Sequence, residues 1–315
     1  MGGQEERLRL GVSVCLLGEN VRHDGGHKRN TLVTDLLGPH FEWVPVCPEV
    51  EAGMSVPREP VHLERSGEGV RMVGNDSGTD HTEAMTELSS ERSAQLSEAD
   101  LRGYIFKSGS PSCGLEKVPI KEGEEYARGR GMFAEAVVRR VPHLPMIEAE
   151  SLSDPRAREG FIERVFTYHR LSVFFGKQRS VGQVAMFHAQ AKLQLEAHAP
   201  GVHSEMVKMF SEGLGFDVLK DRYMGAFMQA LGEPLSVKSH FDTMRQVANE
   251  LRGVVEAPVL KEIGVALQEY RKGHLPLAVP LTLLRHYVRL NEAPRFNGQT
   301  YLEPEPGELL LRTQL

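Results

Sequence analysis

Up to about residue 150 the sequence alternates short β-rich apolar runs with helical stretches, and after Asp154-Pro155 only helical patterning remains. That order restricts the chain to an α/β unit followed by an all-α unit. The first β-rich run, Leu8–Val14, ends at Cys15. A second, Phe41–Val46, ends at Cys47, and a third, Gly103–Lys107, lies just before Cys113. Each run has the length of a buried strand and stops at a loop signal. Helical candidates at Leu32–Leu37 and Thr82–Asp100 separate them, the latter with Asp80 or Thr82 as N-cap. Strand–helix–strand alternation predicts a mostly parallel, Rossmann-like sheet, whose strands all open their carboxyl ends on one edge. The three cysteines, 32 and 66 residues apart in sequence, are thereby expected to converge on one crevice.

Three cysteines in 315 residues do not make a disulfide framework and suit a reducing, cytoplasmic compartment. No apolar run approaches the ~20 residues of a membrane span. The polar start, Met1–Arg9, does not read as a secretory signal. Three converging thiolates leave one coordination position open, on a zinc ion or on an iron–sulfur cluster, and spacing alone does not choose between them. The close Cys-x-x-Cys pairs of structural zinc are absent. Unrelated buried thiols are the bland alternative.

The loops beside the cysteines carry the candidate chemistry. After Cys15, Asp24-Gly25-Gly26 predicts a tight turn that places Asp24 and Arg22 near the crevice; a solvated surface turn is the plainer reading. Glu49, two residues past Cys47, is placed as a general base or water-orienting group, or else compensates a helix dipole. Ser110 and Ser112, in a loop too small and hydroxyl-rich to fill a core, are placed to donate hydrogen bonds to a bound carbonyl or to cluster sulfide. A hairpin is expected from Val61–Glu64 and Val70–Val73. Gly129-Arg130-Gly131 precedes a helix, Met132–Arg139, whose N-terminus is an anion site in outline but lacks the dinucleotide fingerprint.

The second half reads as an all-α bundle without cysteine. A helix starts at Asp154-Pro155, and the pattern continues from Val181, near 203–212, 217–231, 236–252 and 256–272, and over Leu281–Arg289. Charge divides the same way, with a net −8 over residues 1–160 and +2 over 161–315. Basic and aromatic residues interleave here, among them Arg164, Tyr168, Lys192, His198, Arg285, His286 and Tyr287. That composition suits RNA or an ordinary solvated face, and no named RNA-binding signature is present.

Three ordered motifs resemble the thiouracil desulfidase family. They are Val14-Cys15-Leu16-Leu17-Gly18 with Arg22-His23-Asp24-Gly25, Cys47-Pro48-Glu49-Val50 with Pro57-Arg58, and Ser110-Pro111-Ser112-Cys113-Gly114. The resemblance covers about residues 8–168, so that 1–168 is expected to form the iron–sulfur desulfidase domain. Residues 175–315 resemble the YbgA-type helical domain through Phe187-His188, Lys192, Ala197-His198-Ala199-Pro200, Leu275-Pro276-Leu277 and His286-Tyr287-Val288. Ala191 stands where that motif has a second histidine. The resemblance implies a [4Fe–4S] cluster on Cys15, Cys47 and Cys113, with one open iron for the sulfur of a thiolated pyrimidine. It also implies activity on thiouracil and on 4-thiouridine in tRNA, with the helical half helping to hold RNA. Catalytic roles then fall to Glu49, Ser110, Ser112 and Asp24. A cluster-bearing redox sensor and a three-cysteine zinc hydrolase are the rival readings.

Overall fold

The computed structural model describes residues 7–67, 69–232, 236–291, 294–296, 298–305, 307–308 and 311. The chain divides into two compact units, Met1–Phe161 and Ile162–Leu315.

The first unit is built on two four-stranded sheets. Strands β1 (Leu8–Ser13) and β2 (Phe41–Val46) lead to a short helix, α1 (Pro48–Glu51). A hairpin follows, β3 (Val61–Ser66) and β4 (Gly69–Gly74), and then helix α2 (Thr82–Glu98). Strand β5 (Leu101–Phe106), a second hairpin of β6 (Val118–Glu122) and β7 (Glu125–Gly129), helix α3 (Met132–Arg140) and the short β8 (Met146–Glu148) complete it. One sheet has the order β2-β1-β5-β8 with every neighbour parallel. The chain steps from β1 out to β2 and returns to the other side of β1 at β5. The carboxyl ends of β1 and β5 therefore flank a topological switch point, where ligands bind in sheets of this kind. The expected mostly parallel sheet is present.

Apolar residues dominate these strands because helices cover parallel sheets on both faces. Every residue of β5 is buried, and Tyr104 stacks on Phe106 with ring centroids 4.0 Å apart. Gly11 in β1 makes room for that ring, since a Cβ there would lie 2.1 Å from Tyr104 Cδ2. The second sheet, in the order β4-β3-β6-β7, is mixed. Leu63, Met72, Val118 and Ile120 pack with Met85 of α2 beneath it. The anticipated β3–β4 hairpin is there, whereas β6–β7 and β8 went unread in the sequence. The stretch Leu32–Leu37 is a π-helical turn rather than a regular helix.

The second unit takes up α4 (Pro155–Phe175), within which the division falls, and is helical thereafter. Asp154 caps α4 by accepting a 2.9 Å bond from the Arg156 N–H. The remaining helices are α5 (Val181–Gln190), α6 (Lys192–His198), α7 (Val202–Met206), α8 (Phe216–Ala230), α9 (Val237–Glu250), α10 (Ala257–Arg271) and α11 (Ala278–Leu290). Ser180 and Gln183 form a reciprocal capping box at the start of α5. The helix α6 sits between two apolar clusters, with Leu193 and Ala197 in one and Leu195 in the other. Pro280 falls within the first turn of α11, where its missing N–H costs nothing. Among the described residues no helix is long and apolar enough to cross a membrane.

Candidate functional site

The carboxyl ends of β1, β2 and β5 open into a cavity of about 220 Å³, and Cys15, Cys47 and Cys113 all line it. Cys15 sits in a single 3-10 turn after β1. Its carbonyl accepts bonds from the N–H groups of Gly18 and Lys28, which folds the following loop back over the strand end. Gly18 takes φ +100°, a left-handed conformation open to glycine without cost, and so ends that turn. Cys47 is the residue before α1, and its N–H is held by Glu51 Oε1 at 3.0 Å. Cys113 lies in the loop after β5. The Ser13 hydroxyl accepts the Lys107 N–H at 3.0 Å and donates to the Cys113 thiol, tying the ends of β1 and β5 together.

All three cysteines are free thiols, and each faces the same electrostatic conflict. Burial pushes Cys15 up to about 11, reinforced by Cys47, while Lys107 and Arg22 pull the other way. Burial likewise raises Cys47, against the Val50 N–H that favours its thiolate. Cys113 is raised furthest, again by burial first, with Glu49 and the other two cysteines adding to the effect. Three thiols that couple to one another in one cavity, with Arg22 and Lys107 beside them, form a soft sulfur donor set. Cysteine sulfur is the donor that iron–sulfur groups take, so the residues fit such a cofactor. Among the described residues no three His, Cys, Asp or Glu side chains gather closely enough to hold a single metal ion.

Glu49, in α1, is held from both sides. Its Oε1 accepts a 2.6 Å bond from the Ser112 hydroxyl, and its Oε2 takes both Nε (2.9 Å) and Nη2 of Arg58. The side chains of Arg58 and Glu49 are only 8% and 14% exposed, and such charge-assisted pairing fixes the carboxylate's direction. Arg58 is anchored in turn by the carbonyls of Val21 and Ser55 at 3.0 and 3.1 Å. Ser110 accepts the N–H groups of Ser112 and Cys113 and lies 3.0 Å from the Ser112 hydroxyl. The loop thus presents a chain of hydroxyls running to Glu49.

Of the residues singled out in the sequence, Cys15, Cys47, Cys113, Glu49, Ser110 and Ser112 all line the cavity. Asp24 does not. Its carboxylate accepts the Gly26 N–H at 3.0 Å and pairs with Arg22 at 3.1 Å, so it closes its own turn. The Gly26 N–H, and after it Arg22, hold its pKa below the usual carboxylate value. The anion site in outline at the start of α3 is also corrected. The N–H groups of Met132, Phe133 and Ala134 are consumed by the carbonyls of Pro111 and Ser112, so this helix end supports the cysteine loop instead. Arg58, Ser13 and Lys107 were not read as site residues. Arg58 carried the one available signal, as an arginine beside a proline-rich turn following Glu49.

The profile of the family described as 2-thiouracil desulfurase matches residues 10–149, and that of a protein of unknown function, DUF1722, matches 192–306. The uncharacterized protein YbgA of Escherichia coli (strain K12) is 23% identical over 152 residues, 47% of this chain and 90% of YbgA. The uncharacterized protein YbbK of Bacillus subtilis (strain 168) is 34% identical over 108 residues, 33% of this chain and 71% of YbbK. Among solved structures, the [4Fe-4S]-dependent thiouracil desulfidase TudS is 33% identical, covering 47% of this chain and 95% of its own, with a TM-score of 0.38. Through its first half, joined to a DUF1722 region, the chain belongs to the 2-thiouracil desulfurase family.

Proposed function

We propose that this chain removes sulfur from thiolated pyrimidines, converting the thiocarbonyl to a carbonyl with release of sulfide. The observation that carries the reading is that three thiols from three separate strand ends share one cavity with a carboxylate fixed by Arg58 and Ser112. Cys15, Cys47 and Cys113 are the residues that would hold a [4Fe–4S] cluster. When bound, such a cluster supplies an open iron, a soft Lewis acid matched to a thiocarbonyl sulfur.

The chain's own residues do the rest. Glu49 orients a water and accepts its proton as the water oxygen bonds to the ring carbon. Arg58 keeps the carboxylate aimed through this step, and the Ser112 hydroxyl steadies the other oxygen. Ser110, Ser112 and the amides of their loop donate hydrogen bonds to the charge that develops on the substrate. Arg22 and Lys107 add positive charge to the same walls. The exchange consumes one water and releases one hydrogen sulfide, with no net electron transfer.

The reading extends to 4-thiouridine in tRNA, with the second unit helping to hold RNA. Arg285, His286 and Arg289 line a shallow depression on α11 and support that extension. The deciding experiment pairs iron and acid-labile sulfide analysis of anaerobically purified protein with an assay for sulfide release from thiouracil. A brown protein that releases sulfide catalytically is the expected result. Zinc in place of iron would favour the hydrolase alternative, and iron without turnover would favour a redox sensor.

A further inference from the structure

Away from the cysteine cavity, the first unit holds a larger hollow of about 730 Å³, walled by the second sheet and by faces of α2 and α3. Five arginines, Arg65, Arg128, Arg130, Arg139 and Arg140, line it against a single lining carboxylate, Glu135. They gather in a stretch of chain whose net charge is −8. Arg65 is paired with Glu122 at 2.8 Å, and Arg130 and Arg139 share Glu135 at 3.1 and 2.7 Å. Arg128 and Arg140 have no carboxylate partner among the described residues, and Arg140 makes only a long 3.4 Å bond to the Ser97 hydroxyl. Ser89 lines the same hollow at 3% exposure, and its hydroxyl has no hydrogen-bond partner. A buried donor left unmade costs stability unless something fills the role.

We propose that this hollow binds the sugar–phosphate backbone of an RNA substrate. Guanidinium groups and hydroxyls are the donors that phosphate oxygens recognise, and arginine's planar fork suits them better than an ammonium would. Arg128 lies in β7 and Arg140 ends α3, a nine-residue helix about 13 Å long. Two guanidinium groups without carboxylate partners, one rooted on β7 and one at the far end of α3, suit successive phosphates along a chain better than one isolated ion. The hollow also adjoins the cysteine loop. Gly131, between the lining residues Arg130 and Met132, lies so close to that loop that a Cβ would sit 2.5 Å from the Ser112 carbonyl oxygen. A backbone held here runs beside the loop that carries Ser112 and Cys113. The inference rests on thiolated nucleotides being the substrates, but its test does not depend on turnover.

The test measures binding of a fluorescently labelled RNA hairpin to the full chain by anisotropy across a salt series. The comparison is between the parent and an Arg128→Gln/Arg140→Gln double variant, both exposed positions whose replacement leaves the core intact. At 0.15 M salt the variant should bind roughly 10-fold more weakly, and the slope of log K against log salt should shrink by about 1.4 for two lost single-strand phosphate contacts. Iron content and sulfide release from free thiouracil should stay unchanged. Ser89→Ala should weaken RNA binding by a smaller factor in the same direction. Uridine monophosphate and inorganic phosphate, tested as competitors, should displace RNA only weakly. Unchanged RNA affinity and salt slope in the double variant would overturn the proposal. So would tight binding of inorganic phosphate that leaves RNA undisturbed, which would reassign the hollow to a free anion.

Discussion

The two units each hold a glutamate with both carboxylate oxygens hydrogen-bonded, half-buried in the first and buried in the second, yet its surroundings differ. Glu49 lies between Arg58 and Ser112 and faces a cavity lined by three thiols. Glu163 accepts from Gln194 Nε2 at 2.9 Å and from His198 Nε2 at 3.1 Å, and Gln194 also reaches the Thr167 hydroxyl. Every member of that second network is buried. The residue types are those of an active site, but their hydrogen bonds run between α4 and α6 and hold the two helices together. His188 behaves alike, bonded to the Tyr223 hydroxyl at 3.1 Å and to the His203 carbonyl at 2.9 Å. Burial and pairing therefore do not set Glu49 apart in this chain; the cavity at its side does. Two of the histidines that carry the resemblance of the helical half, His188 and His198, build its interior.

The largest effect expected from this contrast is at the thiols. Cys15→Ser, Cys47→Ser and Cys113→Ser should each lose the absorbance near ~400 nm of an iron–sulfur group, and with it sulfide release. A native spectrum retained in any one of them removes that cysteine from the ligand set. Next comes Glu49→Gln, which keeps the shape and the Ser112 contact but cannot take a proton. Turnover should fall about 100-fold or more with iron content intact, the range general-base groups contribute. Full turnover by this variant would put the base elsewhere.

Glu163→Ala probes the other side of the comparison. It leaves His198 Nε2 buried without its acceptor and Gln194 with only the Thr167 hydroxyl, and a buried polar group left unsatisfied costs about 1–3 kcal/mol. Urea denaturation should show that loss, while thiouracil turnover by the folded fraction stays at the parent level. A folded variant with collapsed turnover would give the helical interior a catalytic part and break the contrast.

The difference between the units also decides what was legible in the sequence. Short β-rich runs stopping at Cys15, Cys47 and before Cys113 announced both a parallel sheet and the edge where the three cysteines gather, because strand ends and loop signals are local properties. Glu49, Ser110 and Ser112 were legible for the same reason, being within three residues of a cysteine. Arg58 was not, because it reaches Glu49 across a turn that sets its direction only in three dimensions. The β6–β7 hairpin was missed because Val118–Gly129 is polar and exposed along much of its length, leaving little period-two contrast to read. In the helical half the apolar period gave the helices, but whether His198 faces solvent or Glu163 depends on how α4 and α6 pack.

A smaller effect, of opposite pH sense to a surface histidine gaining a carboxylate partner, is expected at His188. Burial lowers its pKa from 6.5 to about 4, and the His203 carbonyl, which only accepts, assigns the proton of the neutral ring to Nε2. The folded value lies below the unfolded one, so the stabilisation is complete above pH 6.5 and is lost as the pH falls towards 4. Roughly 3 kcal/mol should disappear across that window, and His188→Gln should flatten the dependence in urea titrations at pH 7 and 4.5. An unchanged profile in the variant would assign the acid sensitivity to other groups.

The smallest effect is expected at Asp24, and it sharpens the comparison most. Asp24 shares a loop with Arg22 and His23, which line the cavity, and stands nine residues past Cys15, against the two that separate Glu49 from Cys47. Its carboxylate nevertheless turns to the Gly26 N–H and to Arg22, at 47% side-chain exposure. Asp24→Asn keeps an oxygen for the Gly26 N–H and removes only the charge beside Arg22. Turnover should therefore drop by far less than the roughly 100-fold of a lost acid–base group, and any change should appear in KM, through a less restrained Arg22, before kcat. A fall in kcat matching that of Glu49→Gln, with the iron content unchanged, would place Asp24 among the catalytic groups. It would then show that the loop closes over the cavity during turnover, bringing to the thiols a carboxylate that this structure turns away.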